Sequence, residues 1–395
     1  MEPSYKFTNR TTNVPASGIS LMMNYGAKYS DTLSLGQGTP IFPTPQFIYD
    51  YVYERAKKDP SVGQYSGPKT ENDLKQLIVK EMETLYGFTP TPDSLLLTTG
   101  GIGGLYSAIM ALLQKDDEVI YFDPSYPLHL SQIHLAEAKP IFVSLKEESN
   151  WSLDLSKLGN AVTKNTKAII LTNPNNPTGT VLTKNEVEEI VKVVLNNNLI
   201  LILDEAYDFL TYNKELYSPM KIEAVRNNVV LCKSFSKEFA MTGWRIGYAF
   251  ANPEIIKKLN DVHTYFSISP ATPSIVGAIA ALSDPKGKQS KENFISEFSK
   301  SRDTICQRLN KLPKLFSYQK PSGAYYVFPR FLNFELSALD FAKLLVDEAR
   351  VVTIPGASMG PAGTGHIRMS FAAEPDYINK CFDRIDSFAS KHGLI

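Results

Sequence analysis

Four short polar clusters, each set beside an apolar run, carry most of the chemistry in this sequence. Ser234-Phe235-Ser236-Lys237 follows a run ending at Cys232, and Arg245 stands eight residues further on. A lone lysine is nearly always a solvated surface charge. In a partly apolar pocket near other cations its pKa falls, and the amine becomes a nucleophile toward aldehydes. Ser234 and Arg245 are suited to hold a phosphate, the arginine through its forked donors. Asp204-Glu205-Ala206-Tyr207 follows Leu199 to Leu203. An acid in that place caps the next element, or it pairs with a protonated ring nitrogen of a bound cofactor. In the second case Tyr207 is placed to donate to a ring hydroxyl.

The other two clusters say less when taken alone. Asn173-Pro174-Asn175-Asn176-Pro177-Thr178-Gly179 follows the run ending at Leu171. Prolines and asparagines make turns, yet an asparagine held between prolines is also a fixed hydrogen-bond donor. Thr98-Thr99-Gly100-Gly101-Ile102-Gly103-Gly104 opens a helical pattern. Such glycines are usually only a turn, but at a helix start they let backbone N–H groups approach a phosphate. No Lys-Ser or Lys-Thr pair follows, so this is not a nucleotide-binding P-loop.

The elements that must position these clusters are legible too. Glu118 to Phe122, Ala168 to Leu171, Leu199 to Leu203, Asn228 to Cys232 and Arg245 to Phe250 are strand-sized runs, apolar almost throughout. That pattern suits strands buried on both faces. Leu105, Ala108, Ile109 and Leu112 have helical spacing, as do Val187, Ile190, Val191 and Val194. Thr183 and Glu186 form a capping-box pair before the second helix. Strands alternating with helices predict an α/β fold with a mostly parallel sheet. Ligands of such sheets sit at the carboxyl ends of the strands. After about Asp284 the pattern changes: a polar helix (Lys288 to Leu309), an extended run (Ala324 to Phe328), a helix (Asp340 to Ala349) and a short strand (His366 to Phe371). The expected division is a large domain over residues 46–284, with 1–45 and 285–395 forming a smaller α+β domain.

Composition narrows the function classes. Lysines plus arginines number 41 and acids 41, so the formal charge is zero and gives no case for nucleic acid or an anionic membrane as partner. Cys232, Cys306 and Cys381 lack metal-ligand spacing and read as idle thiols in a reducing compartment, with no metal site. Met1 to Arg10 lacks the apolar core of a signal peptide, and no run is long enough to span a bilayer. The expectation is a soluble cytoplasmic protein.

In chain order the motifs are a Gly-rich loop, the tyrosine of Asp-Pro-Ser-Tyr-Pro, Asn-Pro-Thr-Gly, Asp-x-x-Tyr, Ser-x-x-Lys and a distal arginine. From about Leu35 to Phe371 the chain resembles the class I/II aminotransferases, fold-type I enzymes related to aspartate aminotransferase that depend on pyridoxal 5′-phosphate (PLP). The strings Asn173 to Gly179 and Ser234 to Tyr248 carry the likeness most specifically. The resemblance implies the PLP-dependent transferase fold type I: a seven-stranded, mostly parallel sheet flanked by helices in the large domain, plus a smaller α+β domain.

It also implies roles. Lys237 matches the lysine that binds the cofactor as a Schiff base and shuttles the substrate α-proton. Asp204 matches the acid that keeps the ring nitrogen protonated. Asn176 and Tyr207 match the donors to the phenolic oxygen. Ser234, Arg245 and the backbone N–H groups of Gly101 and Ile102 match phosphate ligands; Ile102 is apolar where some relatives have a polar residue, so only its backbone counts. Tyr126 matches the aromatic stacked on the ring. Tyr65 matches a tyrosine reaching the phosphate of a second subunit, which implies a homodimer, although Thr70 stands where relatives have a glycine and Gly67-Pro68 come earlier. Arg368 matches the clamp on the substrate α-carboxylate. Its neighbours Ile367, Met369 and Phe371 share the other strand face, and the backbone of Gly38 looks like its helper. Asn176 also belongs to the substrate site.

The reaction so implied moves an amino group from an L-amino acid to a 2-oxo acid, 2-oxoglutarate by resemblance. Two rivals share the motifs: other α-carbon chemistry on the same cofactor, such as β- or γ-elimination or ring closure of an S-adenosyl substrate, and a silent cofactor-binding regulator. Tyr25, Phe42, Tyr265 and Phe266 are candidates for an apolar substrate pocket or for plain core.

Overall fold

The computed structural model describes residues 5–395; Met1 to Ser4, the start of the polar N-terminal segment, lie outside them. Seven strands form the central sheet: β1 (Leu95–Thr98), β2 (Glu118–Asp123), β3 (Lys139–Ser144), β4 (Thr166–Thr172), β5 (Ile200–Asp204), β6 (Val229–Ser234) and β7 (Gly247–Phe250). Their spatial order is β1-β7-β6-β5-β4-β2-β3. All neighbours are parallel except β7, which runs antiparallel to β1 and β6.

Successive residues of a strand point to opposite faces, so each strand feeds two cores. Ile169, Leu171, Leu201, Leu203, Val229 and Leu231 belong to one. Ala168, Ile170, Ile202, Val230 and Cys232 belong to the other. Burial on both faces is the reason that these runs are apolar without alternation. β3 escapes that pattern: it is an edge strand, and its Lys139 and Phe142 are exposed; β1, the other edge strand, has only four residues, but all are buried and Leu95 to Leu97 feed both cores.

Six helices bear on the site: α1 (Gly18–Gly26), α2 (Pro68–Tyr86), α3 (Gly100–Leu112), α4 (Pro127–Leu135), α5 (Lys184–Asn196) and α6 (Pro285–Asn310). Pro68 takes the first-turn place at which its missing N–H costs nothing, which explains why Gly67-Pro68 opens α2. α5 starts with the expected capping box. The Thr183 hydroxyl accepts from the Glu186 N–H at 3.3 Å, and the Glu186 carboxylate accepts from the Thr183 N–H at 2.7 Å.

The later elements follow expectation with shifted bounds. The extended run keeps strand pairing only at Tyr326–Val327, and the helix Ala338–Leu344 ends in a π-helical turn, Leu345–Ala349. Ile367–Ser370 lies between Tyr326–Val327 and Ile354–Pro355 in a small antiparallel sheet. The N-terminal segment joins these elements. Leu33–Ser34 pairs in parallel with Val351–Val352, and the hydroxyls of Tyr25 and Tyr29 donate to the Asp347 carboxylate at 2.9 and 2.8 Å. All three cysteines are free and buried. Among the described residues no helix is long and apolar enough to cross a membrane, and no group of His, Cys, Asp or Glu is arranged to hold a metal ion.

Removing the α5 cap tests the local argument. Thr183→Ala is expected to cost about 1 kcal/mol, read as a lower urea midpoint, with the cavity below unaffected.

Candidate active site

The register of the sheet brings the polar clusters together. Thr172, Asp204 and Cys232 are ladder partners, so the ends of β4, β5 and β6 align. Because β7 is antiparallel, its first residue meets the same edge: Gly247 pairs with both Ser234 and Thr98. The loop before β7 therefore delivers Arg245 to the place where the Gly-rich start of α3 begins. A cavity of ≈ 330 Å³ opens along this edge.

Eleven of the twelve residues singled out from the sequence line that cavity: Gly38, Gly101, Ile102, Tyr126, Asn176, Asp204, Tyr207, Ser234, Lys237, Arg245 and Arg368. Tyr65 does not. It is 78% exposed and lines a separate recess with Val62 to Gln64 and Ser269 to Pro273. None of the four aromatics considered for a substrate pocket lines the cavity either. Tyr25 is bound to Asp347, Phe42 stacks on Phe294, Phe266 packs edge-on against Tyr106, and Tyr265 is 91% exposed.

Asp204 is a buried carboxylate with two protein partners. Oδ1 accepts from the Ala206 N–H at 3.1 Å, and Oδ2 lies 3.1 Å from Nε2 of His129. A buried ionised acid needs such donors to offset its lost hydration. His129 is itself fully buried, and its Nδ1 has no partner among the described residues. This histidine was missed in the sequence. The available signal was its place three residues after Tyr126 at the start of α4, which puts both on one helix face; their rings meet edge-on at 5.3 Å.

Tyr326 was missed as well. Its hydroxyl lies 2.8 Å from that of Tyr207, and the Arg368 guanidinium sits 4.5 Å from its ring centroid. Arg368 is almost wholly buried; it donates from Nη1 to Asn176 at 3.1 Å and from Nη2 to the Gly36 carbonyl at 2.7 Å, and its Nε has no partner. The Gly38 carbonyl accepts from the Lys237 amine at 2.5 Å and from the Tyr325 hydroxyl at 2.8 Å. A side chain at Gly38 would put a Cβ 2.2 Å from the Tyr326 hydroxyl, so only glycine allows that approach.

Electrostatics set the lysine apart. Burial, then the charges of Arg368 and Arg245, lower the Lys237 pKa to about 8 against the opposing pull of Asp204. Burial also pushes the Tyr126 and Tyr207 phenols up, so both remain protonated donors at neutral pH.

At the other end lies an anion cradle. Gly100 has φ +68°, and a Cβ there would stand 2.6 Å from Nη2 of Arg245. Arg245, itself at φ +52°, is exposed at the cavity mouth and donates from Nη1 to the Thr242 carbonyl at 2.8 Å. The first N–H groups of α3 have no intrahelical acceptor, and Ser234 lies against Gly101. These residues fit PLP: an anion cradle for the phosphate, a carboxylate for a ring nitrogen and a partly neutral amine for an aldehyde, around one cavity.

Comparison with known proteins adds the family. Residues 30–385 match the model of aminotransferase class I and II. An aspartate aminotransferase of Pyrococcus horikoshii is 32% identical over 97% of this chain and 97% of its own. The aromatic-amino-acid aminotransferase 2 of Thermococcus litoralis is 30% identical over 98% and 99%. A solved Thermus thermophilus aspartate aminotransferase (a single mutant) superposes with a TM-score of 0.90 at 25% identity, covering 97% of this chain and 99% of its own.

The lowered lysine pKa is directly measurable. Reductive methylation of the cofactor-free protein, followed by mass spectrometry, is expected to label Lys237 with a midpoint near pH 8, since the free amine is the reactive form. In Arg368→Gln the midpoint should rise, because a repelling cation has been removed.

Proposed function

Since the chain belongs to the class I and II aminotransferase family, we propose that it moves an amino group from an L-amino acid to a 2-oxo acid with PLP held on Lys237. The observation that carries this reading is the convergence of Lys237, Asp204 and Arg368 on one cavity. Such α-carbon chemistry needs an amine, a carboxylate for the ring and a clamp for the substrate.

When bound, the cofactor supplies an electron sink for the pair left on the substrate α-carbon. The protein supplies the rest. Lys237, part neutral near pH 8, would hold the aldehyde carbon. The same amine, when free, would take the substrate α-proton and return it. The Asp204 carboxylate, held in aim by His129 and the Ala206 N–H, would face the ring nitrogen. Tyr207 and Asn176 would donate to the phenolic oxygen, and Tyr126 would cover the ring. Ser234, Arg245 and the N–H groups of Gly101 and Ile102 would hold the phosphate. Arg368 takes the α-carboxylate through its guanidinium, fixing the α-carbon within reach of the lysine.

The same reading divides the chain into a large domain (46–284) and a small one (1–45 with 285–395), supported by the pairing of Leu33–Ser34 with Val351–Val352. It also makes the protein a homodimer, with the exposed Tyr65 reaching the phosphate of a second subunit. Ile19, Ile102, Leu105 and Leu128 give the cavity an apolar wall, and the cations that line it are Lys237, Arg245 and Arg368. With all three engaged, the wall favours donors with uncharged, apolar or aromatic side chains over aspartate. 2-Oxoglutarate enters as acceptor by family resemblance, its second carboxylate needing a donor from outside this set of three cations.

An absorbance spectrum of the PLP-loaded protein, taken with a panel of amino acids, tests the proposal. The band at about 400 nm should disappear with an aromatic or aliphatic donor, giving its oxo acid without ammonia. Ammonia with pyruvate would point to elimination instead. Lys237→Ala should lose both the band and turnover; a variant that still turned over normally would sink the assignment.

A further inference from the structure

Directly behind the cavity-facing side of the strand ends lies a second set of charged groups that the reaction does not use. Lys233, next to last in β6, is 3% exposed and forms an ion pair with Asp208, whose side chain is 8% exposed. The Lys291 amine of α6 lies 2.6 Å from Glu238 and 3.5 Å from Glu81 of α2. Glu205 is fully buried; one of its oxygens accepts from the Tyr86 hydroxyl of α2 at 2.7 Å, while the other has no partner. The Tyr248 hydroxyl of β7 has none either.

The position of this cluster in the sequence is what gives it meaning. Glu205 follows Asp204, Asp208 follows Tyr207, Lys233 precedes Ser234 and Glu238 follows Lys237. In each of these pairs one residue lines the cavity, and the other belongs to the cluster behind it. The two segments that carry the site thus present one set of side chains to the cavity and the next to a buried ionic layer.

That layer is not an economical way to stabilise a sheet. Val229, Val230, Leu231 and Cys232 of β6 are all buried and apolar. An apolar pair in place of Lys233 and Asp208 would be as stable or more so, because two charges must be stripped of water. The best-attested use of such a pair is to fix register. Here it bridges the turn after β5, which carries Asp204 and Tyr207, to the end of β6, which leads into Ser234 and Lys237.

We propose that Lys233 and Asp208 are positioning residues: their buried ion pair locks the Asp204–Tyr207 turn against the Ser234–Lys237 segment and so fixes the spacing of the Asp204 carboxylate and the Lys237 amine across the cavity. This rests on the reading of those residues as cofactor groups. The charges support it. Burial alone would lower the Lys233 pKa, yet Asp208, Tyr248, Tyr86 and Glu81 together raise it well above its usual value, so the ammonium persists. Four carboxylates, Glu81, Glu205, Asp208 and Glu238, face two ammonium groups, Lys233 and Lys291. Burial, then the charge of Glu238, pushes Glu81 up to about 7. Burial, then the charge of Asp208, does the same for Glu205. Near neutral pH both are therefore partly protonated, which reduces the excess of negative charge around the Lys233–Asp208 pair.

The test uses the full-length protein and reads PLP affinity by fluorescence titration, the pH midpoint of the visible band and the melting temperature. At temperatures well below its melting temperature, Asp208→Asn should bind PLP about tenfold more weakly, the usual scale of coupling between neighbouring groups, and should shift the pH midpoint of the band. The charge-swapped Lys233→Asp/Asp208→Lys protein should recover much of the affinity. Lys291→Met, which leaves the bridge in place, should lower the melting temperature alone. If Asp208→Asn fails to fold, Asp208→Glu, with the charge kept but the reach changed, should show a smaller loss of affinity. Unchanged affinity and midpoint in folded Asp208 variants would overturn the proposal. Failure of the cofactor reading is distinct: the wild-type protein would form no visible band, or Lys237→Ala would keep it.

Discussion

Parallel strands sealed on both faces leave the sheet one place for polar groups, the edge at which the strands end. This constraint governs the molecule. In β5 the apolar residues run to Leu203, and the next residue is Asp204, held opposite Thr172 and Cys232. Since side chains alternate, a slip of one residue would send Asp204 into a core and bring a leucine or Glu205 to the cavity. Register, more than any single contact, decides which acid meets the ligand. The same argument covers β6, where Ser234 faces the cavity and Lys233 does not.

The antiparallel β7 completes the edge. A sheet with parallel strands alone would send the loop before β7 to the opposite end, far from the Gly-rich start of α3. By running backwards, β7 places Arg245 beside Gly100 and closes the anion cradle. Two guanidinium groups thereby approach one amine from different elements, and their repulsion adds to burial in weakening its hold on a proton.

Much of this was legible in the sequence for identifiable reasons. Strands β2, β4, β5, β6 and β7 announce themselves because double-sided burial makes them apolar throughout. The α5 start is legible because its capping box is local. Asp204, Lys237, Asn176 and Arg368 stand out because polar groups at the ends of such runs have few other uses. β3 was not legible, since it is an edge strand with Lys139 and Phe142 exposed; β1 carries the same apolar signal as the others, but only over Leu95 to Leu97. His129 and Tyr326 were hidden because their importance lies in contacts across the fold, to Asp204 and Tyr207. The buried ionic layer was equally silent. Lys233 reads as an ordinary surface lysine until Asp208 is seen beside it.

The Gly38 carbonyl is shared by two donors, the Lys237 amine and the Tyr325 hydroxyl. Two residues earlier the same N-terminal stretch gives its Gly36 carbonyl to Arg368. The stretch is therefore moored to the Lys237 amine and to the Arg368 guanidinium at once. Any bond that the amine makes elsewhere casts off one mooring line, and by reciprocity whatever pins the stretch holds the amine back. Occupancy of the lysine and slack in residues 36–38 are two readings of a single equilibrium.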